Sequence, residues 1–181
     1  LWRAAHPFKI STAASPIVEG DIVYCSAGYG VGAAAFRVSK NGGEYSTKQL
    51  WRKPNKLMNH WSTPVCIEGH LYGMFQFKEY GDGPLKCVEL ATGEIKWSKS
   101  GFGPGGVILV DGKLISTSDA GEVVVSKAMP KAYSEIGRFK AIDGKCWTHA
   151  AYSNGQVYVR STKEGVRYDL QGSVAVRRLN R

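Results

Sequence analysis

Leu85-Lys86-Cys87-Val88-Glu89-Leu90-Ala91-Thr92-Gly93-Glu94-Ile95-Lys96-Trp97 reads as two short strands and the turn between them. Lys86, Val88 and Leu90 alternate with Cys87 and Glu89, so the first half presents two different faces, as an extended strand does. Ala91-Thr92-Gly93 supplies the turn, with Gly93 free to take a positive φ. Glu94 to Trp97 returns and puts one large aromatic at the outer end. A hairpin of this size is marginal alone and must pack on something similar.

The same residues carry a family resemblance. Cys87, Glu89, Thr92, Gly93 and Trp97 match the spacing Ala-x-Asp-x-x-Thr-Gly-x-x-x-Trp, with Cys for Ala and Glu for Asp. The stretch thereby resembles the tryptophan-docking motif of the pyrroloquinoline-quinone (PQQ)-like β-propeller repeat family. The resemblance implies that Trp97 is wedged between neighbouring blades beside the Thr92-Gly93 turn, and that Trp51 holds the matching place one blade earlier. It speaks to architecture far more than to function.

Working outward, four segments repeat one rhythm of apolar strand, Gly turn and second strand. They are Ser15–Tyr24, Thr63–Tyr72, Val107–Ile115 and Ala150–Tyr158, and aligning Tyr24, Tyr72, Ile115 and Tyr158 gives steps of 48, 43 and 43 residues. A blade of four strands repeats at about 40–50 residues. Solenoids of helix pairs share that period, but strand alternation and the Asp-Gly and Asn-Gly turns exclude them. The expected fold is therefore all-β: a β-propeller of four-stranded antiparallel blades, at about 14–51, 62–97, 106–139 and 148–178. The family ring usually has eight blades, so four would be half of one. In the third blade Phe139 stands where a docking Trp is expected. The fourth blade has two candidates for its outer strand, Ser173–Arg177 and the opening Leu1-Trp2-Arg3, which copies Leu50-Trp51-Arg52. Leu1–Arg3 would close a ring within one chain or complete the fourth blade of a second copy, and a dimer fits the eight-bladed ring better. The chain begins without Met inside this strand-like run, as a fragment or processed product would.

Composition narrows the class. Of 181 residues 43% are hydrophobic and 22% charged, which is globular rather than disordered. No apolar run approaches membrane-spanning length, and no signal peptide is visible. The formal net charge of +9 favours anionic surroundings. Lys and Arg are nevertheless scattered, apart from the tail Arg177-Arg178-Leu179-Asn180-Arg181, which fits a basic protein without a nucleic-acid partner better. Cys25, Cys66, Cys87 and Cys146 lack metal-ligand spacing, and three of them fall in strand-like runs where a thiol serves as a small apolar residue. One disulfide stays open should the chain be exported.

Candidate chemistry is sparse. Gly28-Tyr29-Gly30-x-Gly32 and Gly101-Phe102-Gly103-Pro104-Gly105-Gly106 lack the helix start and the Lys-Ser/Thr pair of a phosphate loop, and read as turns. His60-Trp61 and Trp147-x-His149 each precede an inner strand, which puts His60, Trp61, Trp147 and His149 near one mouth of the channel. Such pairs stack on a planar or sugar-like ligand, or, more commonly, pack between blades. Asp111, Asp143 and Asn154 precede Gly and are turn formers. Glu79 and Asp82 share a loop but lack the ligand rhythm of a calcium loop. No catalytic residue, metal or cofactor is expected. The family's quinoprotein dehydrogenases carry adjacent cysteines, Ca²⁺-binding acids and a catalytic Asp, and none of these maps onto this chain. Its non-catalytic members keep the docking Trp without the cofactor set. The resemblance thus implies a binding or scaffold module, periplasmic or extracellular, with a protein partner or self-association through blade edges. The alternatives are part of a PQQ-dependent alcohol or sugar dehydrogenase, and a carbohydrate or polyanion binder.

Overall fold

The computed structural model describes residues 1–10, 13–75 and 83–170, and the backbone of residues 177–178. Among these the chain forms four antiparallel sheets of four strands and no helix. The first sheet holds β1 (Ile17–Glu19), β2 (Ile22–Ala27), β3 (Gly32–Asn41) and β4 (Glu44–Lys53). The second holds β5 (Val65–Ile67), β6 (His70–Met74), β7 (Leu85–Glu89) and β8 (Ile95–Lys99). The third holds β9 (Gly106–Val110), β10 (Lys113–Thr117), β11 (Glu122–Lys127) and β12 (Glu135–Lys140). The fourth holds β13 (Ala151–Ser153), β14 (Gln156–Arg160), β15 (Gly165–Asp169) and β16 (Arg177–Arg178). Each sheet is an up-and-down meander in chain order, and β5 touches β1 on one side and β9 on the other. These are the blades of a β-propeller, with their first strands innermost.

Three apolar cores lie between consecutive sheets, and they explain why both faces of the middle strands are apolar. Leu71, Phe75, Val88 and Leu90 pack with Tyr24, Ala33 and Leu57 of the first sheet and the loop that follows it. The alternate residues Tyr72, Met74, Leu85 and Cys87 pack with Val107, Leu114 and Val124 of the third. Ile115 and Val123 then turn to Val157, Val159, Val166 and Tyr168 of the fourth. A period of two thus sends neighbouring residues into different cores. The four cysteines are free thiols, two of them buried. Cys66 donates to the Glu19 carboxylate at 3.0 Å, and burial together with that carboxylate pushes its pKa up.

The terminal sheets differ from the middle two. On the fourth, Gln156, Tyr158 and Arg160 alternate with the buried Val157 and Val159, so its far face is polar. On the first, Val23, Ala34 and Phe36 point away from the second sheet yet are buried. Residues 1–10 lie on that side: Thr47 Oγ1 donates to the Arg3 carbonyl at 3.3 Å, and His6 sits close enough to Arg52 for that charge, after burial, to lower its pKa. Leu1–Arg3 is therefore no outer strand of the fourth sheet. That place is taken by β16, where Arg177 and Arg178 pair with Arg167 and Val166. An exchanged end strand has no empty edge to fill at β15.

Candidate functional site

The Leu85–Trp97 hairpin forms around its Thr-Gly turn. Gly93 has φ 70°. Thr92 Oγ1 donates to Glu89 Oε2 at 2.6 Å and accepts from the Glu94 amide at 3.1 Å, so the acid and the hydroxyl lock the turn together. That hydrogen bond, with the nearby Lys96 charge, lowers the Glu89 pKa. The residue resting on the turn is Trp51 of the preceding sheet: a Cβ on Gly93 would lie 3.0 Å from the indole. Trp51 Nε1 donates to Leu90 O at 2.9 Å, and Lys53 Nζ to Gly93 O at 2.7 Å. Trp97 does the same one sheet on, donating to Met129 O at 2.9 Å between Tyr72 and Tyr133. It is half-buried, and it points forward, away from its own Thr92-Gly93 turn, because a fourth strand faces the next sheet while the turn faces the previous one. At the third interface Phe139 packs on Tyr168 with ring centroids 4.8 Å apart.

Strand direction decides what gathers at each end. In every sheet the first strand starts, and the second strand finishes, at the same end. The loops entering β5 and β13, the β2–β3 loop and the β10–β11 turn therefore share one end. They bring Tyr29, His60, Trp61, Trp147 and Asp119 together from four sheets. Tyr29 meets His60 edge-on at 4.7 Å, His60 meets Trp61 at 4.6 Å, and Trp61 meets Trp147 at 5.3 Å with 32° between planes. Asp119 accepts a hydrogen bond from Trp147 Nε1, and Lys145 Nζ lies 5.0 Å from the same ring. His149 Nε2 lies 3.2 Å from Thr63 O, tying the two inner-strand loops to each other.

A buried polar network fixes the His60-Trp61 loop. Asn59 is fully buried; its side chain accepts from Tyr24 Oη at 2.6 Å and donates to Met74 O at 2.9 Å, and its amide donates to Ser26 Oγ at 2.8 Å. Burial lowers the His60 pKa, which keeps the ring neutral at neutral pH. Tyr29 stands at φ 54° between Gly28 and Gly30 and is 43% exposed. A non-glycine residue in that region marks a constrained loop tip. Gly28 leaves room for His60, since a Cβ there would lie 2.9 Å from Nδ1.

The structure brings His60, Trp61, Trp147 and His149 to one place and adds residues the sequence did not reveal. Tyr29 was hidden inside a glycine run that reads as a plain turn. Neither Asp119 nor Lys145 carries a spacing signal in the sequence. Asn59 adjoins the His-Trp pair, but nothing local shows that it is buried. Among the described residues no cluster of three metal-ligating side chains occurs. The Glu79–Asp82 pair lies outside them.

Comparison with known proteins agrees on the fold. No protein-family model matches the chain, and no curated protein matches it by sequence. Among solved structures, it resembles BamB from Moraxella catarrhalis with a TM-score of 0.58 and 14% identity, over 85% of this chain and 41% of that one. It resembles the computationally designed Ika8 protein with a TM-score of 0.63 and 17% identity, over 93% of this chain and 49% of that one. A europium-containing methanol dehydrogenase superposes less well, with a TM-score of 0.45 and 13% identity over 62% of this chain and 24% of that one. The chain thus spans less than half the length of these neighbours. The likeness supports a β-propeller fold and reaches no further than the fold. Among the described residues no helix is long and apolar enough to cross a membrane.

Proposed function

We propose that this chain is a non-catalytic propeller module that binds a partner protein at the loop end of its channel. The observation that carries the reading is the Trp61–Trp147 contact at 5.3 Å, continued through His60 to the exposed Tyr29. Loops of separate sheets converge there on a contiguous aromatic cluster that reaches the surface at Tyr29, and aromatic side chains supply much of the energy at protein interfaces. Loops on a rigid scaffold are also where binding residues concentrate. In this reading Trp51, Thr92, Gly93 and Trp97 are structural, docking each sheet on the next. By its family resemblance the module works in the periplasm or outside the cell.

A displayed peptide library panned against the protein tests it. Peptides enriched on the native protein should lose binding to the Tyr29→Ala and Trp147→Ala variants, and keep it when the exposed Tyr45 on the β3–β4 hairpin is changed to Ala. Enriched peptides indifferent to Tyr29 and Trp147, or no enrichment at all, would remove the loop end as the working surface.

A further inference from the structure

Beside Trp147 the fourth sheet carries a cleft of about 170 Å³ lined by Lys145, Trp147, Thr148, Arg160, Ser161 and Thr162. A second cleft of about 480 Å³ shares Thr148 and Arg160 with it and runs on past His149 and Tyr158. Neither wall includes a carboxylate. Each of the six salt bridges among the described residues lies elsewhere, so the Lys145 ammonium and the Arg160 guanidinium have no acidic partner there. The Thr148 side-chain oxygen, in the wall shared by both clefts, is buried and makes no hydrogen bond among the described residues. Buried polar atoms without a partner are uncommon and call for an explanation.

We infer that this groove is an oxyanion subsite of the binding surface, which takes an acidic side chain or a C-terminal carboxylate of the partner protein. The inference rests on the reading of the loop end as a protein-binding surface. Arg160 offers a planar donor fork and Lys145 a point charge, a pairing suited to one carboxylate. The hydroxyls of Thr148 and Thr162 are at hand for a carboxylate oxygen, and the Trp147 edge covers the apolar stem beside it. Two cations without acids in the walls set a positive local potential, which the chain's net charge of +9 reinforces. A peptide is favoured over an acidic glycan because Trp147 already has neighbours on its ring, Trp61 at 5.3 Å and Lys145 Nζ at 5.0 Å, and so offers an edge rather than an open stacking platform.

Nuclear magnetic resonance titration of the 181-residue protein at low salt tests this. The probes are the peptide Gly-Tyr-Asp-Asp, its neutral counterpart Gly-Tyr-Asn-Asn with an amidated C-terminus, sodium sulfate, and a heparin disaccharide. The acidic peptide should shift the Trp147 indole and the amides of residues 148 and 160–162. It should bind about tenfold or more tightly than the neutral peptide, as the loss of a charge-assisted hydrogen bond predicts. Arg160→Gln should abolish that preference while leaving the thermal midpoint and the neutral peptide's binding unchanged, and Lys145→Gln should reduce the preference. Equal binding of the two peptides at these residues would overturn the inference and leave the aromatic surface standing. Tighter binding of the disaccharide than of the acidic peptide would reassign the groove to a glycan and overturn it too. Sulfate binding without any peptide preference would mark it as a plain anion site and count against it. Shifts confined to other sheets would remove both this inference and the loop-end surface.

Discussion

The two ends of this propeller are built to different plans. At one end the first and second strands are joined by two-residue turns at Gly20, Gly69, Gly112 and Gly155, all at positive φ. The third-to-fourth turns there supply the carbonyls of Leu90 and Met129 that Trp51 and Trp97 reach. At the other end the loops are longer, and Trp61 and Trp147 meet each other. An indole whose N–H ends on a backbone carbonyl of the next sheet joins two blades. At the loop tip Trp147 donates to the Asp119 carboxylate and meets Trp61, so it ties loops of different sheets together. The same side chain thus joins strand to turn at one end and loop to loop at the other, and the difference lies in which atoms it meets.

Mutations test that contrast. The largest effect is expected for Trp97→Ala. It removes ring packing against Tyr72 and Tyr133 and the hydrogen bond to Met129, and should cost about 3 kcal/mol, the low end for large aromatic truncations because Trp97 is half-buried. Urea unfolding measures it, and Trp51→Ala should behave alike. A loss below about 1 kcal/mol at both, a typical surface-level effect, would show that these indoles do not join the blades. Gly93→Ala should come next, at about 1–2 kcal/mol, since φ 70° is unfavourable with a Cβ and the new atom would meet Trp51 at 3.0 Å. Gly112→Ala is the control, because nothing lies within 4 Å of a Cβ there. Its cost should be smaller, and equal costs would show that the indole contact adds nothing.

At the loop end, Trp147→Ala should lower the thermal midpoint by less than half the Trp97→Ala shift while removing peptide binding. A larger thermal loss than that of Trp97→Ala would invert the comparison. A still smaller effect comes from acid. Hydrogen bonds from Arg138 first and Tyr133 second hold the Glu135 carboxyl down to about 2, from 4.5. A lowered carboxyl contributes stability that is complete above pH 4.5 and drains away as the pH falls towards 2. Tyr133 packs on Trp97, so the Trp97 end should loosen in that window, and Glu135→Gln should flatten the fall of the thermal midpoint between pH 4.5 and 2. An unchanged slope would show that the Glu135 network adds nothing there. The smallest expected effect is none: PQQ with Ca²⁺ should give no calcium-dependent thermal shift and no dye-linked alcohol oxidation. A calcium-dependent shift at one cofactor per chain would restore the dehydrogenase alternative.

Particular residues show how far reading the chain could go. The steps between Tyr24, Tyr72, Ile115 and Tyr158 count strands and turns, and counting needs no contacts, so the four-sheet plan was legible. The Thr92-Gly93 turn was legible because only a few residue types accept its geometry. That Trp51 and not Trp97 lies on this turn was not, since spacing along one chain does not say towards which neighbour a side chain leans. His60, Trp61, Trp147 and His149 stood out as pairs before inner strands. Tyr29, Asp119 and Lys145 joined them only through the common polarity of the sheets.

The repeat, the meander and the positions of the turns are written in the amino-acid sequence, because they follow from alternation, period and glycine φ over short distances. Tertiary structure alone decided which core each alternate residue enters, that β16 rather than Leu1–Arg3 completes the fourth sheet, and which loops share an end. The first and last of these depend on contacts far apart along the chain, 39 positions for Trp51 with Leu90 and 86 for His149 with Thr63. Packing selects such contacts across the whole molecule, and no local preference encodes them.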